Sequence, residues 1–322
     1  MKKLLSVILA AVMLIGIAGC AGKNDPGENK DKTYSVGIVQ LVDHPALNAA
    51  TDGFMKALKD KLGEDKVKFD LQKAAGEPAN CTTIVNFFKT SKVDLIMANA
   101  TPALQAAYNA TDTIPILGTS VTEYGVALSI ENFSGTVGGN VSGTSDLAPL
   151  DKQAQMIIDL FPEAKTVGLL YCSSEPNSQY QVKVVDEYLT GKGISVKKYS
   201  FSDSNDIAAV TNLAVTECDV LYIPTDNAAA NSADIIGNIV RQAKKPVIAG
   251  EEGICAKCGV ATLSISYYDL GYKTGEMAAQ ILKGEKKISE MPIEYAPVTK
   301  KYNKAMADEL GVTVPSDYEE IK

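Results

Sequence analysis

The chain has 322 residues, with 31 lysines and arginines against 39 aspartates and glutamates, a formal net charge of −8, one histidine and no tryptophan. An acidic chain with a single arginine, Arg241, lacks the clustered cations that grip phosphates, which excludes a nucleic-acid binder. The length exceeds that of a usual single domain, so two lobes are expected.

The N-terminus stands apart from the rest. Lys2 and Lys3 precede an apolar run over 4–17 that is too short to span a bilayer comfortably and ends in I-A-G-C. This predicts a signal peptide over 1–19. The small residues before Cys20 look like a bacterial lipobox, in which Cys20 becomes the lipidated first residue of the mature chain; a plain signal peptide with an incidental cysteine is the alternative. Residues 20–33 hold that cysteine and a polar stretch bearing glycine and proline, expected to be a flexible tether. No second apolar segment of spanning length follows. The expectation is an extracytoplasmic protein held to the bacterial cell membrane by a lipid anchor.

From residue 34 onward, short β-branched strands alternate with amphipathic helices. Strands are predicted over 36–41, 67–71, 93–98 and 114–118, with helices over 45–62, 78–90 and 102–110 between them. A run rich in glycine, serine and threonine over 132–143 follows, with the character of a mobile hinge. The alternation then restarts: helix 150–160, strand 166–171, helix 177–189, strand 194–199, helix 204–215, strand 220–223, helix 228–243 and strand 246–249. A strand over 260–265, a helix over 267–283, a segment 292–297 and a helix over 302–310 complete the chain.

Alternation at this spacing implies parallel sheets with right-handed crossovers, an α/β fold. The two halves also align: V-G-I-V-Q at 36–40 with V-G-L-L-Y at 167–171, the segment at 93–107 with 218–232, and I-P-I-L-G-T-S at 114–120 with K-P-V-I-A-G-E at 245–251. Two similar lobes follow, the first from 34–146 plus about 266–291, the second from 147–265 plus about 292–322. Elements left over after the second lobe imply that the chain crosses between lobes more than once.

In open parallel sheets ligands collect beyond the carboxyl ends of the strands, where helix N-termini offer free N–H groups. Hydroxyls, amides and carboxylates recur at these elbows: Gln40 with Asp43 and His44, Thr101 with Pro102, Asn177 with Ser178, and Thr225 with Asp226 and Asn227. Ser145 and Asp146 lie near the crossover between lobes. Each cluster is equally what helix capping requires. Matched elbows on two facing lobes would line one cleft. Tyr267 and Tyr268, before Asp269, read either as helix-start core aromatics or as a lid.

Catalysis finds little support. No G-x-S-x-G elbow surrounds a serine, and the glycine-rich run lacks the lysine of a phosphate-binding loop. Cys255 and Cys258 form a C-A-K-C pair, half of a four-ligand zinc site, with His44 far away in sequence. A local disulfide or two unreactive thiols is the better reading, and no metal or cofactor is expected.

The elbow Q-L-V-D-H-P-A-L-N, the A-T-P-A-L-Q-A segment, G-G-N-V-S-G-T-S-D-L, Y-C-S-S-E-P-N-S, I-P-T-D-N and Y-Y-D-L-G-Y-K-T-G together resemble the solute-binding lipoproteins of bacterial ABC importers. The resemblance covers nearly all of the mature chain and is closest to the type I binding-protein branch assigned to tryptophan and tyrosine uptake. It implies two Rossmann-like lobes joined by three hinge crossings, an aromatic or related amino acid in the cleft, ABC permease subunits as partners, and a monomer. Carried over by position, ligand contacts would come from Gln40, His44, Thr101, Pro102, Ser145, Asp146, Asn177, Ser178, Thr225, Asp226, Asn227, Tyr267, Tyr268 and Asp269. Two departures adjoin the expected pocket: G-E-E-G-I-C at 250–255, where relatives show G-D-D-S or G-D-x-S, and T-L-S at 262–264, where they show T-Y-G. A ligand ammonium wants a desolvated carboxylate, Asp226 or Asp146. Its carboxylate, with no arginine partner in view, would sit at the helix starts by Thr101 and Asn177, and His44 or the tyrosines would stack on an aromatic ring. A receptor of the same fold for a nucleoside or another organic solute, or a sensory or enzymatic module on this scaffold, remains the alternative.

Overall fold

The computed structural model describes residues 32–322, so the signal peptide, Cys20 and nearly all of the tether lie outside the described residues. The first half runs β1 (Tyr34–Gln40), α1 (Pro45–Leu62), β2 (Val67–Lys73), α2 (Pro78–Ser91), β3 (Leu95–Asn99), α3 (Thr101–Ala110), β4 (Ile116–Val121), α4 (Tyr124–Leu128) and β5 (Val141–Ser145). The second half repeats the plan with α5 (Leu150–Leu160), β6 (Thr166–Cys172), α6 (Pro176–Gly191), β7 (Ser195–Phe201), α7 (Ile207–Glu217), β8 (Val220–Ile223), α8 (Asn227–Asn231), α9 (Ala233–Gln242), β9 (Val247–Ala249), α10 (Glu252–Cys258) and β10 (Ala261–Ser264). The chain ends with α11 (Tyr267–Leu282), β11 (Glu294–Tyr295), β12 (Thr299–Tyr302), α12 (Lys304–Leu310) and β13 (Glu319–Glu320).

Proline sets three of the helix starts. Pro45, Pro78 and Pro176 open α1, α2 and α6, where φ is already helical and the missing N–H costs nothing. The central strands are apolar because parallel strands are covered on both faces: β3, β4 and β8 are buried at every position.

Two sheets result. One has the order β11-β5-β4-β3-β1-β2 and the other β13-β12-β10-β9-β8-β6-β7. Strands β2-β1-β3-β4-β5 and β7-β6-β8-β9-β10 therefore occupy the same places, which is the topological form of the internal repeat seen in the sequence. All pairings are parallel except β10 with β12. A large core around Leu169, Tyr222 and Ile248 fills the second lobe. In the first, clusters around Phe88 and Leu104 and around Phe54 and Met277 pack the sheet. The α/β class with two parallel-dominated sheets is thus as expected.

The chain passes between the sheets after β5, after β10 and after β11. Helix α11 returns to the first lobe and lies along α1 at backbone distance: a Cβ at Gly271 would stand 1.9 Å from the Ala50 carbonyl oxygen, and one at Gly53 would stand 2.1 Å from that of Tyr268. Strand β11 joins β5 of the first sheet, although residues 292–297 were assigned to the second lobe. Four further differences have local causes. Helices α4 and α10 are too short to show a period, β12 is short and polar, and the helix expected over 228–243 breaks at Ser232, whose backbone is no longer helical.

Candidate functional site

The elbows of both lobes face one another across a cavity lined by His44, Leu47, Ser120, Thr122, Asp146, Asn177, Thr225, Asp226, Asn227, Ala230, Glu251 and Tyr267. The room inside it is about 10 Å³, enough for a single water. Sites that hold a small molecule run from about 300 to 1,000 Å³, so the cleft is nearly filled as it stands.

From the first lobe, His44 precedes Pro45 and makes no capping bond to α1, so the first N–H groups of that helix stay uncapped by a side chain. The imidazole is buried, and burial pushes its pKa down to about 4, against the opposing pull of Asn227 and then Asp43. Its Nε2 lies 3.4 Å from Asn227 Oδ1, a contact that bridges the two lobes. Ser120, near the end of β4, has a left-handed conformation with φ of 53°, and its buried hydroxyl has no partner among the described residues. Such backbone strain in a non-glycine residue is tolerated where a site needs the geometry.

Asp146 sits at the first crossing and is 4% exposed. Its Oδ2 accepts a 2.9 Å hydrogen bond from the Tyr267 hydroxyl, while Oδ1 accepts none. Burial raises its pKa to about 6, opposed by Tyr267 and by the nearby Thr122. Asp146 is the lining carboxyl with an oxygen to spare.

In the second lobe, carboxylates close the starts of α8 and α10. Asp226 accepts from Cys172 N at 2.7 Å and from Ala229 N at 2.8 Å, capping α8. Glu175 accepts from Asn227 N at 3.0 Å and from Ala228 N at 2.9 Å, on the same first turn. Glu251 takes Gly253 N at 2.7 Å and Ile254 N, capping α10. Burial drives the Asp226 pKa upward, with Glu175 adding repulsion, and lifts that of Glu251 to about 7. With both oxygens engaged, Asp226 holds the fold. Asp226→Ala is expected to cost about 2 kcal/mol, since a cap and a buried N–H lose their acceptor while a buried charge is relieved. In a domain of this size that lowers the Tm by roughly 5 °C. An unchanged Tm together with lost ligand binding would place Asp226 on the ligand instead.

The other expected residues divide sharply. Gln40 is fully buried, but its amide donates to Val42 O and Asn48 Oδ1 and accepts from Thr51, all at 2.8 Å, so it pins the elbow rather than lining the cavity. Thr101 and Pro102 are buried at the start of α3, outside the lining set. Ser145 bonds Thr122 O at 2.7 Å and accepts from Leu147 N, bracing the crossing. Ser178 lies behind the wall, against Asn177 and Asp226. Tyr268 is exposed and stacks on Tyr272, and Asp269 is exposed, so of the three only Tyr267 lines the cavity. Leu47, Ser120, Thr122, Ala230 and Glu251 were missed. Two of these, Ser120 and Glu251, are the last positions of the paired segments 114–120 and 245–251.

Cys255 and Cys258 lie on α10, both fully buried, and all five described cysteines are free. Burial raises the pKa of both thiols, which are inert core residues. Among the described residues no grouping suited to a metal ion occurs.

A family model described as ABC transporter substrate binding protein matches residues 35–319. The chain belongs to that family. It is 40% identical over 305 residues to a tyrosine-binding protein of Clostridioides difficile (strain R20291), covering 91% of this chain and 87% of the relative. A Streptococcus pneumoniae ABC domain in complex with L-Trp matches with 30% identity and a TM-score of 0.84, over 88% of this chain and 97% of that one. The ligand-free, open structure of a Clostridium difficile substrate-binding protein with adhesive properties is 39% identical over 90% of this chain and 99% of that one, yet its TM-score is 0.69. The sequence nearer to this chain is thus the less similar shape: this substrate-binding protein is closer in shape to the tryptophan-bound relative than to the ligand-free, open one.

The buried carboxyls make the stability of this shape sensitive to pH. A carboxyl whose pKa in the fold lies above its unfolded value near 4 lends stability that is complete below pH 4 and lost as pH climbs through the folded value. Here that window ends at about 6 for Asp146 and about 7 for Glu251. His44, with its lowered pKa, opposes this only below pH 6.5. The Tm of the ligand-free protein is expected to be higher at pH 6 than at pH 8; a reversed order would mean that these carboxyls meet water when no ligand is bound.

Proposed function

We propose that this chain is the extracytoplasmic receptor of an ABC importer and carries an aromatic amino acid to its permease subunits. The observation that supports this best is the unpartnered, buried Oδ1 of Asp146 at the crossing, on a side chain that lines a cavity between both lobes. A desolvated carboxylate there holds a ligand ammonium by a charge-assisted hydrogen bond. The ligand carboxylate goes to the first lobe, at the uncapped start of α1 with the Ser120 hydroxyl, because the starts of α8 and α10 in the second lobe are already occupied by Glu175, Asp226 and Glu251. His44, Leu47, Ala230 and Tyr267 form walls for the ring, which needs a much wider cleft than the present one. The ligand contacts are therefore His44, Ser120, Asp146, Asn177, Asn227 and Tyr267.

In this reading the first lobe comprises 34–146 plus 266–295 and the second 147–265 plus 296–322, and hinge closure over the ligand excludes water and presents the docking face. Residues 1–19 are the signal peptide, Cys20 carries the lipid, residues 20–33 are the tether, and the protein works as a monomer that performs no catalysis. Relatives named for tyrosine binding and solved with L-Trp support the amino-acid class. A thermal-shift screen over amino acids, nucleosides and sugars tests it. Tyrosine or tryptophan should raise the Tm most; a nucleoside or sugar doing so would overturn the ligand class. Cys20→Ala should release the protein from the membrane fraction, and retention there would refute the lipid anchor.

A further inference from the structure

Glu175 stands behind the cavity wall at the start of α6, 6% exposed and outside the lining set. Its backbone is extended, as Pro176 requires of the residue before it, and its carboxylate reaches the first turn of α8. There Oε2 accepts from Asn227 N at 3.0 Å and from Asn227 Nδ2 at 2.7 Å, while Oε1 accepts from Ala228 N at 2.9 Å. Exchanging the nitrogen and oxygen of the Asn227 amide would set oxygen against that carboxylate. The amide is therefore locked with Nδ2 toward Glu175 and Oδ1 toward His44 Nε2, 3.4 Å away on the first lobe. An amide oxygen only accepts, so the proton of this contact belongs to Nε2. Burial pushes the His44 pKa down to about 4, so near pH 7 the ring is neutral and Nε2 carries its one proton. The chain Glu175–Asn227–His44 thus ties the second lobe to the first through protein atoms alone.

We propose that Glu175 is a positioning residue for lobe closure: it fixes the Asn227 amide so that His44 of the first lobe latches onto it when the lobes come together. An acceptor already held in its bonded orientation costs no further ordering as the lobes meet. The proposal rests on the hinge closure read above and not on which solute the cleft takes. Glu175 also holds Asn177 Nδ2 at 3.0 Å, so the test has to isolate its action through His44.

His44 is the only histidine in the chain, so isotope-labelled histidine gives a single imidazole in the NMR spectrum. With saturating L-tyrosine, the wild-type protein is expected to show an Nε2 proton protected from exchange. In Glu175→Gln the Asn227 amide can turn over, and that signal should fade as the Nδ1–H form appears. Calorimetry on the same variant should show tyrosine binding weakened about 10-fold, with the loss at least about 3-fold smaller when the change is made in His44→Phe. An equal loss in both backgrounds, or a wild-type ring protonated at Nδ1, would overturn the proposal. If Glu175→Gln does not fold, the wild-type spectrum and the same cycle run with Asn227→Ala decide, an uncoupled cycle overturning the latch. No heat from tyrosine would remove the aromatic ligand instead. The latch is then judged on the proteins as purified, where a protected Nε2 proton that survives Glu175→Gln, or is missing from the wild type, overturns it.

Discussion

Asp146→Asn is expected to weaken binding of an aromatic amino acid by about 30-fold or more, because removing one partner of a buried charge pair costs at least about 2 kcal/mol. The same change should leave the empty protein as stable as before or slightly more so. In the closed shape the carboxyl is buried with one oxygen unpartnered, and burial raises its pKa to about 6, so ionising it near neutral pH works against the fold. Asparagine keeps an acceptor for the Tyr267 hydroxyl, which holds the geometry of the crossing. Calorimetry and a melting curve on the one variant separate the two effects. Intact affinity would remove Asp146 from the ligand, and a lower Tm would show that its charge serves the hinge instead.

Gly271→Ala is expected to destabilise the protein by about 3 kcal/mol or more, the upper range for overpacking, despite the gain of roughly 1 kcal/mol in helix propensity. The added methyl would stand 1.9 Å from the Ala50 carbonyl oxygen and 2.6 Å from its carbon, and backbone cannot rotate away as a side chain can. Helix α11 begins at Tyr267 in the cavity, follows the second crossing, and lies on α1, which begins just after His44. Pushing the two helices apart shifts both cavity walls, so ligand affinity should fall with the Tm. A fall of roughly 6 °C or more is the expected reading in differential scanning calorimetry. A Tm within a degree of wild type would show that the helices lie further apart than this.

Much of the fold was legible because its signals are local. Pro45 and Pro78 mark helix starts that the structure keeps, α1 and α5 have the predicted bounds, and the sequence repeat reappears as one strand order used twice. The site was legible only in part, because a polar residue at a strand end looks the same whether it faces ligand or protein. Gln40 and Asp226 have the right chemistry, but their polar atoms are taken up by Val42, Asn48 and Thr51 in one case and by Cys172 N and Ala229 N in the other. Which partner wins is decided by tertiary distance. Tyr268 and Asp269 fail for a simpler reason, since only one of three consecutive helical residues can point into the cavity. Ser120 and Glu251 carried a usable signal, as matched ends of the repeated segments at 114–120 and 245–251. Leu47 and Ala230 offered none, because an apolar wall has no chemistry of its own.

Closure over a zwitterion also explains why so acidic a cavity suits an amino acid. The carboxylates of the second lobe are spent on backbone N–H groups, which leaves one free anionic oxygen for one ammonium. The central claim, that an aromatic amino acid is held between the lobes, is tested most directly by titrating the wild-type protein with L-tyrosine and L-tryptophan in a calorimeter. At least one should bind at a single site with micromolar or tighter affinity, with a negative heat-capacity change from burial of the ring. No heat from either, alongside saturable binding of a ligand without an ammonium group, would contradict the account.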